Sequence, residues 1–286
     1  MSWRTSGRRE LRDRILTALA LALAALAAIA WLPVTLLAAA LAVVVLMGAW
    51  EWARLAGYAV PAARCAYVVF TALALVWIYH VSANPTWRGL IMQLAVVWWF
   101  LASWRIWQCQ ILHSRPAEGA AFTALEGWLV LIPAWLGLLW LCAEAKPWVY
   151  ALLAIIWLAD TAAYGVGRRF GRRRLADQIS PAKSWEGVAG ALGAVALLAV
   201  VTGILRGWPW SKTLTWVGVA LVTVVASVVG DLTESLYKRR AGVKDSGRCL
   251  PGHGGILDRI DSLTAAVPVY WLGMQGLKWS QGDWQW

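Results

Sequence analysis

The sequence is poor in charged residues, and above all in acidic ones. Charged side chains make up 14% of the 286 residues, Asp and Glu together number only 15, and there are three His. A soluble globular domain carries about 25% charged residues, so this composition excludes one. The four cysteines form no C-x-x-C pair, and the P-loop consensus is missing. The sequence therefore indicates neither a disulfide framework, nor a zinc site, nor a P-loop nucleotide site.

Apolar residues dominate instead, at 60% of the chain with a mean hydropathy of +0.60. They come in long runs, which is typical of helices that face lipid. Nine runs are candidate spans, at about 15–32, 34–50, 64–80, 90–109, 121–143, 147–166, 185–205, 213–233 and 262–277. Because only Trp31-Leu32-Pro33 separates the first two, a re-entrant hairpin is an alternative for that pair. The sequence predicts an all-α, polytopic integral membrane protein with about nine transmembrane helices and no removable signal peptide.

The basic residues indicate the orientation of these helices. With nine spans and a cytoplasmic N-terminus, 21 of the 26 Lys and Arg residues fall on the cytoplasmic side, as the positive-inside rule requires. The exceptions are Arg88, Lys146, Arg206, Lys212 and Lys278. We divide the chain into a basic cytoplasmic N-terminus (1–14), N-terminal transmembrane helices (15–146) and a C-terminal transmembrane catalytic region (147–286). The last of these contains the long polar segment 235–261.

The formal net charge of +11 concerns the partners of the protein rather than its fold. It suits an anionic lipid leaflet and anionic substrates. Nucleic acid is disfavoured, because the basic residues are spread over loops at the membrane edge and do not form a soluble module.

The few carboxylates are concentrated beside two basic loops, 167–184 and 234–261. Eight of the 15 lie there: Asp160, Asp177, Glu186, Asp231, Glu234, Asp245, Asp258 and Asp261. Asp231 and Glu234 end the eighth span, Asp258 and Asp261 begin the ninth, and the i,i+3 spacing puts each pair on one helical face. Such oxygen ligands suit Mg²⁺, as one ion or two, held by carboxylates together with substrate phosphates. The alternative is that these acids only neutralise neighbouring Lys and Arg.

The loop 234–261 is rich in glycine. Gly254 and Gly255 belong to a backbone that can take positive φ and present N–H groups to phosphate oxygens. His253, between two glycines, can donate to a phosphate, shape the loop or serve as a general base.

The loop 167–184 contains Ser180-Pro181, which is typical of an N-cap followed by proline at the first helical position. This predicts a helix that begins there. Lys183 would then lie in the first turn, where it opposes the helix dipole, and an anionic ligand would explain that placement.

These residues resemble the signature of the phosphatidate cytidylyltransferase family of bacterial integral-membrane enzymes, also called CDP-diacylglycerol synthases. The signature runs S-x-x-K-R, four residues, K-D, then, after a short link, [PG]-x-H-G-G-x-x-D-R-x-D. Its fixed positions are filled here by Ser235, Lys238, Arg239, Lys244, Asp245, Pro251, His253, Gly254, Gly255, Asp258, Arg259 and Asp261. The upstream elements D-T-x-A-Y and S-P-x-K-[TS]-W-E-G appear at 160–164 and 180–187. By motif, the resemblance covers about residues 155–263.

The resemblance implies a nucleotidyltransferase of phospholipid biosynthesis that converts CTP and phosphatidic acid to CDP-diacylglycerol and pyrophosphate with Mg²⁺. It also implies a location in the bacterial inner membrane and is compatible with a homodimer. The catalytic residues implied are Asp231, Asp258, Lys183, Lys244 and His253. The implied metal ligands are Asp231, Asp258, Asp261 and Glu234. Substrate binding falls to Ser180, Lys183, Lys238, Arg239, Lys244, Asp245, Gly254, Gly255 and Arg259, with Asp160 and Tyr164 lining a membrane-side cavity for the lipid headgroup.

Two other functions are compatible with parts of the pattern. A related CTP-using membrane transferase would share the fold and the metal site but act on a polyprenol or an archaeal lipid. An ion-coupled transporter or lipid flippase would carry acids near the membrane midplane in helices with inverted-repeat symmetry, and the sequence shows no such symmetry. CDP-alcohol phosphotransferases are disfavoured because their D-G-x-x-A-R signature is missing.

Overall fold

The computed structural model describes residues 19–112, 119–247, 249 and 254–281. Within these ranges nine helices and one short hairpin form the fold. The helices are α1 (Leu19–Trp31), α2 (Val34–Leu55), α3 (Pro61–Val81), α4 (Pro85–Leu112), α5 (Ala120–Glu144), α6 (Lys146–Phe170), α7 (Trp185–Leu205), α8 (Trp210–Arg240) and α9 (Leu257–Gln281). The strands are β1 (Arg174–Ala176) and β2 (Ser180–Ser184). The prediction of an all-α polytopic membrane protein is confirmed, while the N-terminal segment 1–14 lies outside the described residues.

Seven of these helices, α2 to α8, are long and apolar enough to cross a membrane. The described part of α1 comprises the 13 residues Leu19–Trp31. Helix α9 is long but less apolar, and it packs against α8, α5, α4 and α2. Its side chains Ala265, Val267, Tyr270 and Met274 are completely buried. Because other helices cover α9, its sequence does not need the lipid-facing surface that makes the other spans so hydrophobic.

The helices alternate in direction, so the bundle has two distinct ends. At one end, Lys146 Nζ at the start of α6 donates to the backbone oxygen of Ala30 in α1 at 2.7 Å. The Arg88 guanidinium at the start of α4 lies 5.5 Å from the Trp140 ring near the end of α5. The ends of α2, α6 and α8 and the beginnings of α7 and α9 lie at the other end. We call this the site end, because both polar loops are located there.

The hairpin β1–β2 fills the connection between α6 and α7. Its strands pair antiparallel, with Arg174 opposite Ser184 and Ala176 opposite Ser180. Ala176 and Ile179 are fully buried and pack against Leu232 of α8, among other apolar residues. The hairpin is thus fixed against α8 by its apolar side chains, and β2 carries Lys183 toward that helix.

The prediction of a helix that begins at Ser180-Pro181 is wrong. Those residues belong to β2, and α7 begins only at Trp185, with Ser184 as the N-cap whose hydroxyl oxygen accepts from Gly187 N at 3.2 Å. Glu186 accepts from the backbone N–H groups of Arg172 and Arg173, at 3.1 and 3.2 Å. Because residues 180–184 pair in the hairpin and Ser184 and Glu186 accept hydrogen bonds at the start of α7, this helix begins only at Trp185. Lys183 therefore lies before the helix rather than in its first turn.

The packing of α8 against α9 depends on Gly230, which has no side chain. A Cβ at this position would collide with the backbone oxygen of Asp261 and would lie 3.1 Å from the Cβ of Ala265. Helices approach this closely in membranes where small residues line the contact. Gly230 therefore determines how near the two helices that carry Asp231 and Asp261 can come.

We expect Gly230→Ala to destabilise the protein by about 1–3 kcal/mol, because the added methyl group forces α8 and α9 apart. Gly218→Ala is the matched control on the same helix, since a Cβ there meets no atom within 4 Å. Thermal unfolding of both variants in detergent micelles checks this expectation. Equal melting temperatures for the two would contradict the close contact at Gly230.

Candidate active site

Five carboxylates and two lysines form one cluster at the site end. They come from four elements: α6, β2, α8 and α9. The members are Asp160, Lys183, Asp231, Glu234, Lys238, Asp258 and Asp261. We call them the acidic cluster. The helix ends and the hairpin thus bring together residues that lie up to 101 positions apart in the chain.

The outer part of the cluster is an ion pair between Lys183 and Asp231. Lys183 Nζ lies 2.5 Å from Asp231 Oδ2, and the two side chains are 26% and 32% exposed. Asp160 interacts electrostatically with both, from an exposed position on α6. Because these groups are open to solvent, a charged ligand can reach this part of the cluster without moving the helices.

The inner part of the cluster is organised by Lys238. Its ammonium group donates to Glu234 Oε2 at 3.1 Å and to Asp258 Oδ1 at 2.7 Å. Glu234 is 4% exposed and Asp258 is 10% exposed as side chains. Lys238 thus joins the end of α8 to the start of α9 within a partly dehydrated environment, where a charge-assisted hydrogen bond is strong.

Asp258 also organises the backbone before α9. Its Oδ2 accepts from Gly255 N at 2.7 Å, from Ser246 N at 3.0 Å and from the Ser246 hydroxyl at 3.0 Å. Gly254 has φ +80°, and a Cβ there would lie 2.6 Å from Asp258 Oδ2. The N–H of Gly255 thus donates its hydrogen bond to Asp258. A glycine is required at position 254 because the backbone there is left-handed and because a side chain would occupy the space of the Asp258 carboxylate.

The acidic cluster carries more negative than positive charge. Five carboxylates face two ammonium groups, which gives these seven side chains a formal charge of −3. Oε1 of Glu234 is buried and receives no hydrogen bond within the described residues, and the Glu234 carboxyl group as a whole interacts with that of Asp261. Two acceptor groups at short range need a proton or a cation between them. Hard oxygen donors with this charge excess fit Mg²⁺.

The cluster is not a closed metal cage. Among the described residues, no three His, Cys, Asp or Glu side chains converge into a group that could hold a metal ion alone. Both oxygens of Asp258 already accept hydrogen bonds, whereas Asp231 is more open. An arrangement of this kind fits a cation whose remaining ligands come from a phosphate-bearing substrate.

The other predicted site residues lie around the cluster with different degrees of exposure. Lys244, Asp245, Arg239 and Arg259 are exposed at the site end. Arg239 Nε donates to the backbone oxygen of Ile179 at 3.3 Å, which ties α8 to the hairpin. Ser180 is partly buried in β2, and Tyr164 on α6 is 67% exposed. Pro251 and His253 lie outside the described residues, so the role predicted for His253 stays a prediction.

Sequence reasoning missed Glu51, which α2 brings to the same site. It is 2% exposed and accepts from Ser246 Oγ, Ile256 N and Leu257 N at 2.9 to 3.0 Å. A carboxylate that directly follows the predicted span 34–50 gives no spacing signal toward a loop about 195 residues away. The one available signal was a lone acid, with Trp and Ala on either side of it, in an apolar span, where ionisable groups are costly.

A second buried acid, Glu126, was also missed. Its two oxygens bind Arg105 of α4 and the hydroxyl of Tyr237 of α8, the latter at 2.5 Å. The Tyr237 ring packs on Trp52 of α2, with centroids 4.9 Å apart. This network includes Tyr237, the residue before Lys238, and joins α2, α4, α5 and α8. It fixes the helix end from which Lys238 projects.

The fold and the cluster together define a polytopic α-helical membrane protein with a cluster of carboxylates and lysines at one end of the bundle. The family model described as "Cytidylyltransferase family" matches residues 12–277, and the chain belongs to this family. The chain is 43% identical over 280 residues to a phosphatidate cytidylyltransferase of Pseudomonas aeruginosa, an alignment that covers 95% of this chain and 98% of the relative.

Further relatives carry the same name. A phosphatidate cytidylyltransferase of Haemophilus influenzae is 36% identical, with 91% of this chain and 97% of the relative covered. One of Mycobacterium bovis is 29% identical, with 92% and 88% covered. The similarity thus extends over the N-terminal helices, where the sequence alone offered no motif.

We expect Arg105→Leu to lower the free energy of unfolding by about 3–5 kcal/mol, because it removes the Arg105 guanidinium from its ion pair with the buried Glu126 carboxylate. The double variant Arg105→Leu/Glu126→Leu should recover much of this loss, since it removes both charges. Chemical denaturation in detergent micelles measures both. A double variant that is less stable than Arg105→Leu alone would contradict the assignment of the pair.

Proposed function

We propose that this protein transfers CMP from CTP to phosphatidic acid at the cytoplasmic face of a bacterial inner membrane, giving CDP-diacylglycerol and pyrophosphate. The observation that carries the proposal is similarity over nearly the whole chain to relatives named phosphatidate cytidylyltransferase. The positions of the signature residues support it, because the hairpin and the ends of three helices gather them at one end of the bundle. The bias of Lys and Arg toward that end supports a cytoplasmic orientation.

The reaction needs little proton chemistry. A phosphate monoester loses its second proton at about pH 6, so phosphatidic acid presents an oxyanion at neutral pH. This oxygen forms a new bond to the α-phosphorus of CTP. The bond from the α-phosphorus to the oxygen bridging to the β-phosphorus breaks, and pyrophosphate leaves with that electron pair. The main obstacle is repulsion between two anions, so positioning and charge neutralisation provide the catalysis.

The basic side chains of the site end are placed to provide that neutralisation. Lys183 lies at the open part of the acidic cluster, while Lys244 and Arg259 are exposed near the start of α9. In this proposal they bind the triphosphate, and Lys183 exchanges part of its contact with Asp231 for a phosphate oxygen. Lys238 is more enclosed, so its main effect is to hold Glu234 and Asp258 in place.

The acidic cluster would hold the metal through Asp231, Glu234, Asp258 and Asp261. The unsatisfied oxygen of Glu234 and the excess negative charge support this assignment. Bound Mg²⁺ would neutralise charge on the triphosphate and on the leaving pyrophosphate. In the absence of metal and substrate, Lys183 and Lys238 reduce the electrostatic repulsion among these carboxylates.

The lipid substrate would approach along α6. Asp160 and Tyr164 are exposed on this helix, and the Tyr164 hydroxyl accepts from Arg168 Nη1 at 2.8 Å. A tyrosine and an arginine at the end of a membrane helix suit the headgroup region. The lipid phosphate would therefore reach the cluster from the membrane side, and CTP from the solvent side.

We expect the purified protein to form CDP-diacylglycerol from CTP and phosphatidic acid in detergent micelles with Mg²⁺, and to stop when EDTA is added. Thin-layer chromatography of the labelled lipid product measures this. Parallel reactions with a polyprenol and a polyprenyl phosphate test the alternative acceptors. Product from these acceptors and none from phosphatidic acid would contradict the proposal.

We expect Asp231→Asn to lower kcat about 100-fold or more and to raise the Mg²⁺ concentration that gives half-maximal rate, because a carboxylate that neutralises the reacting phosphates is lost. Asp177→Asn is the matched control, since Asp177 is an exposed acid in the hairpin turn at the same end of the bundle, outside the acidic cluster. Its kinetics should match the wild type. Near-normal turnover of Asp231→Asn would remove this residue from the site.

A further inference from the structure

Glu51 holds the first turn of α9 from another helix. Its Oε1 accepts from Ile256 N at 3.0 Å, and its Oε2 accepts from Leu257 N at 2.9 Å. These N–H groups belong to the start of α9, where backbone donors are unpaired within the helix. A carboxylate at a helix N-terminus is favourable, because it satisfies those donors and opposes the helix dipole. Glu51 thus caps α9 across about 205 residues of sequence.

The same carboxylate is coupled to Asp258 through one hydroxyl group. Ser246 Oγ lies 2.9 Å from Glu51 Oε2 and 3.0 Å from Asp258 Oδ2. The hydroxyl has one proton, which it donates to one carboxylate at a time. Asp258 is then fixed by Ser246 and Gly255 on one oxygen and by Lys238 on the other. A substitution of Glu51 would therefore alter the position of Asp258, both through Ser246 and through the start of α9.

The surrounding backbone leaves room for Glu51 and for little else. A Cβ at Gly247 or at Gly255 would collide with the Glu51 carboxylate. Gly255 belongs to the family signature, whereas its contact partner Glu51 lies in the N-terminal half of the chain. The glycine at this position is explained by the carboxylate that packs on it. The phosphate-binding role that the sequence predicts for Gly255 is not needed to account for it.

We propose that Glu51 is a positioning residue of the active site, which fixes the start of α9 and thereby the orientation of Asp258 within the acidic cluster. The inference rests on the proposed function for its effect on turnover. It also implies that the Ile256 and Leu257 N–H groups at the α9 N-terminus are not the phosphate site, because Glu51 occupies them. Phosphate binding falls to the basic side chains around the acidic cluster.

The test compares Glu51→Gln with the wild type. Gln has a single carbonyl oxygen in place of two carboxylate oxygens, so at least one of the N–H contacts is lost. Loss of a group that orients a ligand typically costs about 10- to 100-fold, and we expect kcat to fall by that factor. KM for phosphatidic acid should stay within about twofold, because Glu51 does not touch the lipid path along α6. Ser246→Ala should lower kcat less.

Glu144→Gln is the matched control, because Glu144 is an acid that also accepts from a side chain, Gln275 at 3.0 Å, but at the opposite end of the bundle. Hydrogen–deuterium exchange gives a readout independent of turnover. The amides of 255–258 should exchange faster in Glu51→Gln than in the wild type or in Glu144→Gln. Combining Glu51→Gln with Ser246→Ala should lower kcat by less than the product of the single effects, since both act through Asp258.

Each outcome decides a specific point. Faster exchange with unchanged kcat would make Glu51 purely structural and would overturn the inference, as would unchanged exchange. If Glu51→Gln does not fold, Ser246→Ala decides, and wild-type kcat in that variant overturns the inference. If the wild type forms no CDP-diacylglycerol, the proposed function fails and the role of Glu51 in turnover fails with it, while the exchange data still test the contact.

Discussion

The ammonium group of Lys238 between Glu234 and Asp258 is the interaction on which the rest of the site depends. It joins the end of α8 to the start of α9 on both sides of the connecting loop, and both carboxylates are largely dehydrated. Carboxylates in such a place repel each other strongly, because the effective dielectric constant is well below that of water. The Lys238 ammonium group reduces this repulsion where the ends of the two helices carry four acids. It thereby favours the close approach of α8 and α9 that the absence of a side chain at Gly230 permits.

This arrangement also accounts for the excess of negative charge. A fully neutralised cluster would attract a cation less strongly, whereas a cluster with no lysine would have stronger repulsion among its carboxylates. Two lysines and five carboxylates give the cluster an intermediate net charge, so its electrostatic potential still favours an added cation. In the proposed reaction the same lysines would contact phosphate while a metal ion screens the carboxylates. The charge pattern therefore supports the proposal that an anionic nucleotide binds together with a cation.

The membrane fold and most of the candidate site could be predicted from the sequence, because both depend on strong local signals. Long apolar runs predict spans, and the i,i+3 spacing of Asp231 with Glu234 and of Asp258 with Asp261 predicts a shared face. The start of α7 was missed because Ser180-Pro181 satisfies the local rules for a helix start. The tertiary contact of Ala176 and Ile179 with α8 makes the segment a hairpin instead. Glu51 was missed for a related reason, since its three hydrogen-bond partners lie about 195 to 206 positions away.

The C-terminal half of the chain carries most of the candidate site residues, and the N-terminal half supplies partners for buried polar groups, because burying a charge without a partner is costly. The residues that we propose to contact substrate are concentrated from residue 160 onward, on the ends of α6 and α8, in β2 and at the start of α9. Each dehydrated polar group there needs a partner, and helices pack with neighbours that are distant in sequence, so the partners come from α2, α4 and α5. Glu51 satisfies the start of α9, and Glu126 with Arg105 holds Tyr237 next to Lys238. In the proposed function, the N-terminal helices therefore contribute by positioning residues of the site, and a search for motifs in the C-terminal half alone does not reveal these contacts.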